Sequence, residues 1–407
     1  MSDRAPYPAV LLYSFFPWRH EYPSTAHGLA RALAAYTDVY FVSKPPTLKD
    51  AVFGKVDRGS GALPSVTRIP EAPRLRVVEL PASLPINGLP AGGLYEVLRK
   101  RNDRRLNRAL RTVLQAEGLQ KFIWVNLYAP TQFVDLELHR TPESRVYYSV
   151  DAVAQAPYTA KHGIAAERVQ VERADLVLAT SSALLQHVRH LTPSAPRCAL
   201  LPNAMNGDRY DAASSFAEPE SLRAVPHPRA VYLGNLDAAR IDFAGLQAFA
   251  KTRPDVHLVL AGPWNAGADA RTALETLPNV HLLGRQAPDD CPAILAHSDL
   301  GLIPFLRTPL TAAIYPLKIN EYLALGLPVL STEFSADIAA FGDVITLAEV
   351  RDWPECVDAA IASRADDAAT KARIARGRAS TWDTRAVTFL ELCAPAVAAV
   401  DKAQALC

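Results

Sequence analysis

The sequence lacks the features that define several large classes of protein. It has five cysteines in 407 residues and no CxxC pair, so neither a zinc site nor a disulfide framework is indicated, and reduced thiols in a cytosolic protein are expected. No run of about 18 consecutive apolar residues predicts a membrane-spanning helix, and no signal peptide is recognisable. The formal net charge is only +1, which argues against a general nucleic-acid binder.

Familiar catalytic motifs are missing as well. The sequence contains no Ser–His–Asp order, no P-loop, no GxGxxG and no cluster of metal-ligating residues. It also lacks a DxD-type pair of carboxylates in a plausible place. We therefore expect no essential metal and no bound cofactor.

Charge is unevenly distributed along the chain. Residues 1–150 carry 20 Lys and Arg against 13 Asp and Glu, whereas the remainder carries 23 against 29. This asymmetry indicates that the first part of the chain faces something anionic, such as a lipid surface or a phosphorylated acceptor.

Short apolar runs alternate with helical patterns along the whole chain, which favours α/β domains with parallel sheets. The length and 49% hydrophobic content fit two cores rather than one. We predict two Rossmann-like doubly wound domains facing each other across a cleft, with an irregular segment at 44–74. The predicted parts are an acceptor domain at 1–205, a donor domain at 206–383, and a last helix at 384–407 that packs back on the first domain.

The most informative segment is YPLKINEYLALGLPVLST, residues 315–332. Pro316 suits the first turn of a helix and Gly326 suits its end. Lys318 and Glu321 then share one face near the helix N-terminus, where free N–H groups favour a diphosphate. Lys318 would add positive charge there, and Glu321 would accept hydrogen bonds from a ribose diol. The alternative is an ordinary surface Lys–Glu pair on a core helix.

This segment resembles the donor-site signature of glycosyltransferases with two Rossmann-like domains, the GT-B fold. It is most similar to that of bacterial enzymes of the teichuronic acid and xanthan glucuronic acid transferase type. Five further stretches resemble that family in the same order: LLPNAMNGDRY, VYLGNLDAARID, DVHLVLAGP, NVHLLGRQ and SDLGLIPF. The resemblance covers most of 145–335 and, weakly, 9–35.

The resemblance implies a donor site for a nucleotide-diphosphate sugar, with uracil as the expected base. Gly234 and Asn235 would lie against the diphosphate, although Gly234 can also be read as a simple turn glycine. The other donor-binding residues that it implies are Arg285, Gln286, Pro304, Phe305, Tyr315, Leu317, Lys318 and Glu321. For Phe305 a place in the core is the alternative interpretation.

One position departs from the family pattern. Many retaining relatives carry a second glutamate eight positions before the ribose glutamate, and Ala313 stands there. The resemblance to the xanthan-type enzymes instead implies that Asp151, after the strand RVYYSV, is the general base of an inverting transfer. A turn or N-cap aspartate is the alternative.

Two further features of the first domain point to the acceptor side. Trp18, Arg19, His20 and Glu21 follow the first strand and are candidates to line an acceptor site. The segment 93–117 reads as a basic amphipathic helix, with Arg99 to Arg111 around a leucine stripe, which is typical of contact with an anionic membrane surface. A packed helix with a solvated basic face remains the alternative.

These observations predict a bacterial glycosyltransferase. It would move a sugar from a UDP-linked donor to a glycan or lipid-linked acceptor in surface polysaccharide synthesis, and would be cytoplasmic or peripheral on the inner membrane face. Three alternatives stay open: a retaining GT-B enzyme, a nucleotide-sugar epimerase, and a non-catalytic protein that binds a sugar nucleotide or glycan.

Overall fold

The computed structural model describes residues 7–19, 24–52, 63–155, 157–192 and 197–404. The chain forms two compact units. Unit 1 comprises Met1–Pro202 and Arg385–Cys407, and unit 2 comprises Asn203–Thr384.

Unit 1 is built on one eight-stranded sheet. Its strands are β1 Ala9–Ser14, β2 Val39–Val42, β3 Ser65–Ile69, β4 Ala72–Glu79, β5 Phe122–Leu127, β6 Ser144–Ser149, β7 Leu176–Ala179 and β8 Arg197–Leu200. Its helices are α1 Thr25–Leu33, α2 Leu48–Val52, α3 Gly93–Ala116, α4 Pro157–Arg173 and α5 Ser182–Leu191. The strand order is β3-β4-β2-β1-β5-β6-β7-β8, and all neighbours are parallel except β3 with β4.

Unit 2 contains a six-stranded parallel sheet and a two-stranded one. The strands of the unit are β9 Arg229–Leu233, β10 Leu236–Asp237, β11 His257–Ala261, β12 Trp264–Asn265, β13 Val280–Gly284, β14 Leu300–Ile303, β15 Val329–Ser331 and β16 Thr346–Leu347. Its helices are α6 Phe243–Thr252, α7 Ala268–Glu275, α8 Cys291–Ala296, α9 Pro309–Ala312, α10 Leu317–Ala324, α11 Ala336–Ala339, α12 Trp353–Ala362 and α13 Asp367–Arg378. The last helix, α14 Trp382–Gln404, begins in unit 2, and its residues from Arg385 onward belong to unit 1.

The strand order in the large sheet of unit 2 is β13-β11-β9-β14-β15-β16, and β10 pairs only with β12. Counted within the large sheet this is the order 3-2-1-4-5-6 of the Rossmann fold, and the central strands of unit 1 repeat it. The fold class predicted from the alternating apolar runs is therefore confirmed. In such sheets ligands bind beyond the carboxyl ends of the strands, where the strand order reverses. In unit 2 that point lies between β9 and β14.

The prediction of an irregular segment at 44–74 is wrong in part. The segment holds α2, β3 and the beginning of β4, while residues 53–62 lie outside the described part of the chain. Strand β3 is an antiparallel edge strand whose side chains are mostly exposed. It therefore has no apolar run by which a buried parallel strand is recognised.

Helix α3 differs from the predicted basic amphipathic helix at one position. Arg99 is buried rather than exposed, and its guanidinium pairs with Glu96, Asp103 and Asp135 at 3.0, 2.8 and 3.0 Å. A buried arginine needs such partners because its charge has left water. Five other cations of the helix are exposed: Lys100, Arg101, Arg104, Arg105 and Arg108.

Within the described residues, no helix combines the length and the apolar character that crossing a membrane requires.

Candidate donor site in unit 2

Three glycines follow the carboxyl ends of neighbouring strands in unit 2. Gly234 follows β9, Gly262 follows β11, and Gly284 ends β13, with φ angles of +151°, +147° and +65°. Side chains rarely adopt such values, so glycine is required for the backbone to turn there. The three are joined through the backbone: Gly234 N–H donates to Ala261 at 2.8 Å, and Gly262 N–H donates to Gly284 at 2.7 Å. The strand ends therefore present backbone without side chains at these three positions, at the place where the fold positions ligands.

Helix α10 lies beside this surface with its N-terminus at Pro316. Gly326, with φ +71°, ends it in the left-handed conformation that commonly terminates helices. Within the helix, the hydroxyl of Tyr322 accepts a hydrogen bond from the N–H of Leu233 in β9 at 2.9 Å. The predicted helix and its end at Gly326 are thus confirmed, whereas Pro316 is the extended N-cap before the first turn rather than a residue of that turn.

Lys318 leaves the first turn of α10 toward Gly234. A Cβ atom built on Gly234 would stand 3.1 Å from both Cε and Nζ of Lys318, so the lysine passes directly over the glycine. Its ammonium lies 5.0 Å from the centre of the Tyr232 ring and 5.2 Å from that of Phe305, distances at which a cation is attracted to an aromatic face. Burial lowers the pKa of Lys318 to about 8, while the charge of Glu321 opposes the fall and that of Arg240 adds to it.

Arg240 is a second cation at the same place, and sequence reasoning missed it. It belongs to the stretch VYLGNLDAARID; its charge adds to the fall in the pKa of Lys318 that burial causes, and it opposes the rise that burial causes in the pKa of Tyr232. Its Nε atom is buried with no hydrogen-bond partner among the described residues, and the carboxylate of Asp237 lies 3.7 Å away. Lys318, glycine backbone and a helix N-terminus therefore meet at one place that the charge of Arg240 also reaches, which suits an anion such as a diphosphate.

Glu321 lies one turn further along α10 and has partners from outside the helix. The hydroxyl of Tyr210 and the charge of Arg209 both act on its carboxylate. Burial raises the pKa of Glu321, whereas Lys318, Tyr210 and Arg209 oppose the rise. Tyr210 and Arg209 were also missed, although they close the stretch LLPNAMNGDRY. The carboxylate is held in place and keeps oxygen atoms for a diol.

A pocket of about 370 Å³ is lined in part by two of the three glycines, Gly262 and Gly284. Its walls include Leu236, Gly262, Trp264, Asn265 and Arg285. Asn265 donates to the side chain of Asn235 at 2.6 Å. The pocket is within the range of volumes typical of small-molecule sites, and it adjoins the two predicted residues Asn235 and Arg285.

The remaining predicted donor residues lie in different surroundings. Gln286 is half-buried, and its side chain donates to the carbonyl of Leu283 at 2.8 Å. Phe305 is buried between Tyr232 and Phe334 with ring centres 6.4 and 4.9 Å away, so it lies behind Lys318 in the core.

Pro304 is buried, and its carbonyl accepts from the N–H of Asp242 at 2.9 Å. Tyr315 is also buried, with its hydroxyl 3.1 Å from Asn320, whereas Leu317 is half-buried at the start of α10. These residues shape the base of α10 from within.

In unit 1, the described acceptor-side candidates follow strand ends. Trp18 is half-buried; its N–H donates to Ser43 at 3.2 Å, and its ring packs 5.0 Å from Phe41. Arg19 is exposed, and its charge acts on Glu79. Asp151 is exposed just beyond β6. His20 and Glu21, also predicted to contact the acceptor, lie outside the described residues.

Two absences concern chemistry at these sites. Ala313 is buried after α9, where the resemblance would place a carboxylate in retaining relatives. Among the described residues, no group of three or more His, Cys, Asp and Glu side chains is placed to hold a metal ion. Independence from a metal stays a prediction.

Comparison with known proteins matches the part of the chain that contains this site. Residues 227–367 match the family model described as glycosyl transferases group 1. Over 166 residues the chain is 27% identical to the putative teichuronic acid biosynthesis glycosyltransferase TuaH of Bacillus subtilis (strain 168). That match covers 40% of this chain and 41% of the relative's length.

Solved structures match over almost the whole chain. The α,α-trehalose 6-phosphate synthase of Burkholderia multivorans has a TM-score of 0.71 at 13% identity, with 98% of each chain covered. HepE of Anabaena, solved in complex with UDP, has a TM-score of 0.62 at 14% identity, covering 96% of this chain and 100% of that one. At such identities the likeness shows the fold alone. The chain therefore carries a glycosyl transferases group 1 domain at residues 227–367, and its fold is that of the GT-B glycosyltransferases.

Proposed function

We propose that this protein is a glycosyltransferase that takes its sugar from a UDP-linked donor bound in unit 2. The observation that carries the proposal is that Lys318, on whose charge Arg240 acts, lies over Gly234 at the N-terminus of α10. The group 1 domain match over this region supports it, as does the UDP bound to the Anabaena neighbour. In this proposal the two cations hold the diphosphate, and Glu321, fixed by Tyr210, accepts hydrogen bonds from the ribose.

The same groups would serve the chemical step. As the bond from the anomeric carbon to the diphosphate breaks, negative charge grows on the leaving oxygen. Lys318, Arg240 and the N–H groups of α10 are already in place there, and donors that need no rearrangement stabilise such charge most effectively. We propose that the reaction needs no metal for this reason.

We further propose that Asp151 is the general base and that the transfer inverts configuration. Its carboxylate would take the proton of the acceptor hydroxyl as that oxygen forms a bond to the anomeric carbon and UDP departs. The position of Asp151 at a strand's carboxyl end and the alanine at position 313 support this assignment.

The acceptor is proposed to be a glycan or a lipid-linked glycan of a bacterial surface polysaccharide. The partial match to TuaH, whose name refers to teichuronic acid biosynthesis, supports this class. The exposed cations of α3, together with Leu94 and Val97, which are each 65% exposed, support docking on an anionic membrane surface.

The test is incubation with radiolabelled UDP-sugars and a bacterial membrane extract. We expect labelled sugar in the extract and free UDP in solution. Isomerised nucleotide without any acceptor would indicate an epimerase, and donor binding without turnover would indicate a binding protein. In calorimetry, Lys318→Ala should weaken UDP binding at least about tenfold, because a charged hydrogen bond contributes roughly 1.5–3 kcal/mol. Lys371→Ala, which removes an exposed lysine of α13, should leave the affinity unchanged.

A further inference from the structure

The short sheet of β10 and β12 stands outside the Rossmann order, yet it adjoins the donor site. Strand β10 begins two residues after Gly234, and β12 begins two residues after Gly262. The two strands run parallel, with Asp237 opposite Asn265. The chain that leaves one glycine of the donor site is therefore paired with the chain that leaves the next.

Strand β12 is anchored to the body of unit 2. The N–H of Leu236, a buried residue of β10, donates to the carbonyl of Pro263 just before β12, at 2.9 Å. The ring of Trp264 packs against that of buried Phe243 at the start of α6, with ring centres 5.0 Å apart. These contacts fix the backbone of Asn265, whose side chain lies at the surface.

The side chain of Asn265 turns back toward the residue after Gly234. Its Nδ2 donates to Oδ1 of Asn235 at 2.6 Å. An asparagine amide has an acceptor end and a donor end, so this contact occupies the oxygen of Asn235 and leaves its –NH2 group. Among the described residues, nothing accepts a hydrogen bond from that –NH2 group. Asn265 therefore determines which end of the neighbouring amide the loop presents.

The backbone of Asn235 presents a second donor. The carbonyl oxygen of Gly234 faces Gly262 so closely that a Cβ atom there would clash with it. The peptide bond to Asn235 is trans, so the N–H of Asn235 points away from Gly262. No described residue accepts from this N–H, whereas the carbonyl of Asn235 accepts from the hydroxyl of Tyr232 at 3.0 Å. The peptide is thus held with its N–H unpaired.

Both donors lie beside the ammonium of Lys318. A Cβ atom on Gly234 would stand 3.1 Å from Nζ of Lys318, and Asn235 is the next residue. Donors without an acceptor next to a cation suit the oxygens of an anion, and such charge-assisted hydrogen bonds are about twice as strong as neutral ones. A reversed Asn235 amide would instead turn a carbonyl oxygen toward the anion and repel it. The orientation set by Asn265 thus has a direct effect on anion affinity.

We propose that Asn265 is a positioning residue of the donor site, which holds the Asn235 amide so that its –NH2 group donates to the diphosphate. The proposal rests on the transferase function proposed above and adds a residue that acts on the donor only through another. The backbone N–H of Asn235 donates to the same diphosphate and does not depend on Asn265.

The test measures the affinity of the whole protein for UDP, inorganic pyrophosphate and uridine by calorimetry. Asn235→Ala should weaken UDP and pyrophosphate about tenfold, because one charge-assisted hydrogen bond is lost. Asn265→Ala leaves the Asn235 amide free to rotate and should weaken both about threefold. The carboxylate that Asn265→Asp introduces can only accept, which reverses the amide and should weaken both about tenfold or more. Uridine lacks the diphosphate, so its affinity should not change. Gln115→Ala, which removes an exposed amide of α3, should change none of the three affinities.

Double variants separate the orientation of Asn235 from any direct effect of residue 265. In the Asn235→Ala background no amide remains to be oriented, so Asn265→Ala should cost no further affinity. Asn265→Asp should cost about threefold or less there, which measures the repulsion by the added negative charge alone. A residue that merely stabilised the fold would cost the same in both backgrounds and would weaken uridine as well. Thermal unfolding confirms that each variant is folded.

The proposal is overturned if folded Asn265→Asp binds UDP as the wild type does, or if uridine loses as much affinity as UDP. It is also overturned if the changes at Asn265 cost as much affinity in the Asn235→Ala background. Pyrophosphate separates this result from the proposed function. A wild type that binds pyrophosphate but not UDP contradicts the UDP-linked donor, and the pyrophosphate series then decides the role of Asn265. A wild type that binds neither overturns both.

Discussion

The carbonyl oxygen of Gly234 stands 1.9 Å from the point that a Cβ atom on Gly262 would occupy. The two residues end neighbouring strands, and their backbones are in direct contact. No side chain fits between them, so the surface beneath Lys318 exists only because both positions are glycine.

Gly262→Ala should therefore destabilise unit 2. The methyl group forces the backbone of Gly234 to move, and φ +147° is itself unfavourable for alanine. Strain and overpacking of this kind cost about 2 kcal/mol or more, which corresponds to a fall in melting temperature of roughly 5 °C for a domain of this size. Thermal unfolding followed by circular dichroism gives the measurement.

The matched control is Gly267→Ala, five positions away. Gly267 has φ −63°, and a Cβ atom there meets nothing within 4 Å. It should melt within about 1 °C of the wild type. If both variants melt alike, the close approach of the two strand ends does not constrain the fold.

UDP binding should depend on pH through Lys318. Because burial lowers its pKa to about 8, the lysine is charged below that pH and loses its charge above it. A diphosphate favours the charged form, so affinity should begin to fall as the pH approaches 8 and should be about tenfold lower at pH 9 than at pH 7. Calorimetry at several pH values measures this.

The control for this prediction is Lys318→Arg, since arginine keeps its charge throughout this range. Its UDP affinity should be independent of pH. A wild-type profile as flat as that of Lys318→Arg would mean that Lys318 does not contact the diphosphate.

The sequence predicted the donor helix well because its evidence is local. The helix signals lie within eleven residues: Pro316 precedes the helix, Lys318 and Glu321 place charges on its first turns, and Gly326 ends it. Each of these roles depends only on neighbours along the chain. The apolar runs that mark the parallel strands are local in the same sense. Both kinds of pattern were matched by the structure.

What the sequence did not predict depends on distant partners. Tyr210 acts on Glu321 across 111 positions, and the charge of Arg240, three positions after β10, acts on Lys318, which is 78 positions away in the chain. Arg99 was assigned to an exposed face because helical spacing does not show that Asp135, outside the helix, pairs with it. Such long-range pairings follow from the tertiary fold and leave no signal in the local sequence.

Binding to anionic vesicles should depend on the exposed face of α3. The triple change of Arg101, Arg104 and Arg108 to Glu reverses three charges on that face and should abolish flotation with anionic vesicles. Binding of the wild type should weaken with salt, because exposed charges are screened beyond roughly 10 Å at 0.1 M. Flotation at several salt concentrations measures both effects.

The control places the same charge change elsewhere. Lys251, Arg351 and Lys371 are exposed in unit 2, and their replacement by Glu should leave flotation largely intact. Equal loss in both triple variants would indicate a response to total charge alone, and equal binding to neutral and anionic vesicles would contradict docking through α3.

Asp151→Asn should keep UDP binding and lower turnover by roughly 100-fold or more, because an amide cannot take the acceptor proton. Glu71→Gln, a change at an exposed carboxylate in the turn between β3 and β4, should leave turnover unchanged. Product NMR should show the anomer opposite to that of the donor. A product with the donor's own anomeric configuration, or normal turnover in Asp151→Asn, would exclude Asp151 as the base of an inverting reaction.

The hydrogen bond from Leu233 to Tyr322 has one more consequence. The Leu233 N–H belongs to strand β9 but donates to a side chain of α10, so it can exchange with solvent only when the helix lifts from the sheet. Gly301 strengthens this attachment, because the Tyr322 ring fills the space where a Cβ at position 301 would lie. Deuterium uptake at this single amide therefore reports how often helix and sheet separate, and a diphosphate that binds both should slow it while leaving the amides of unit 1 unaffected.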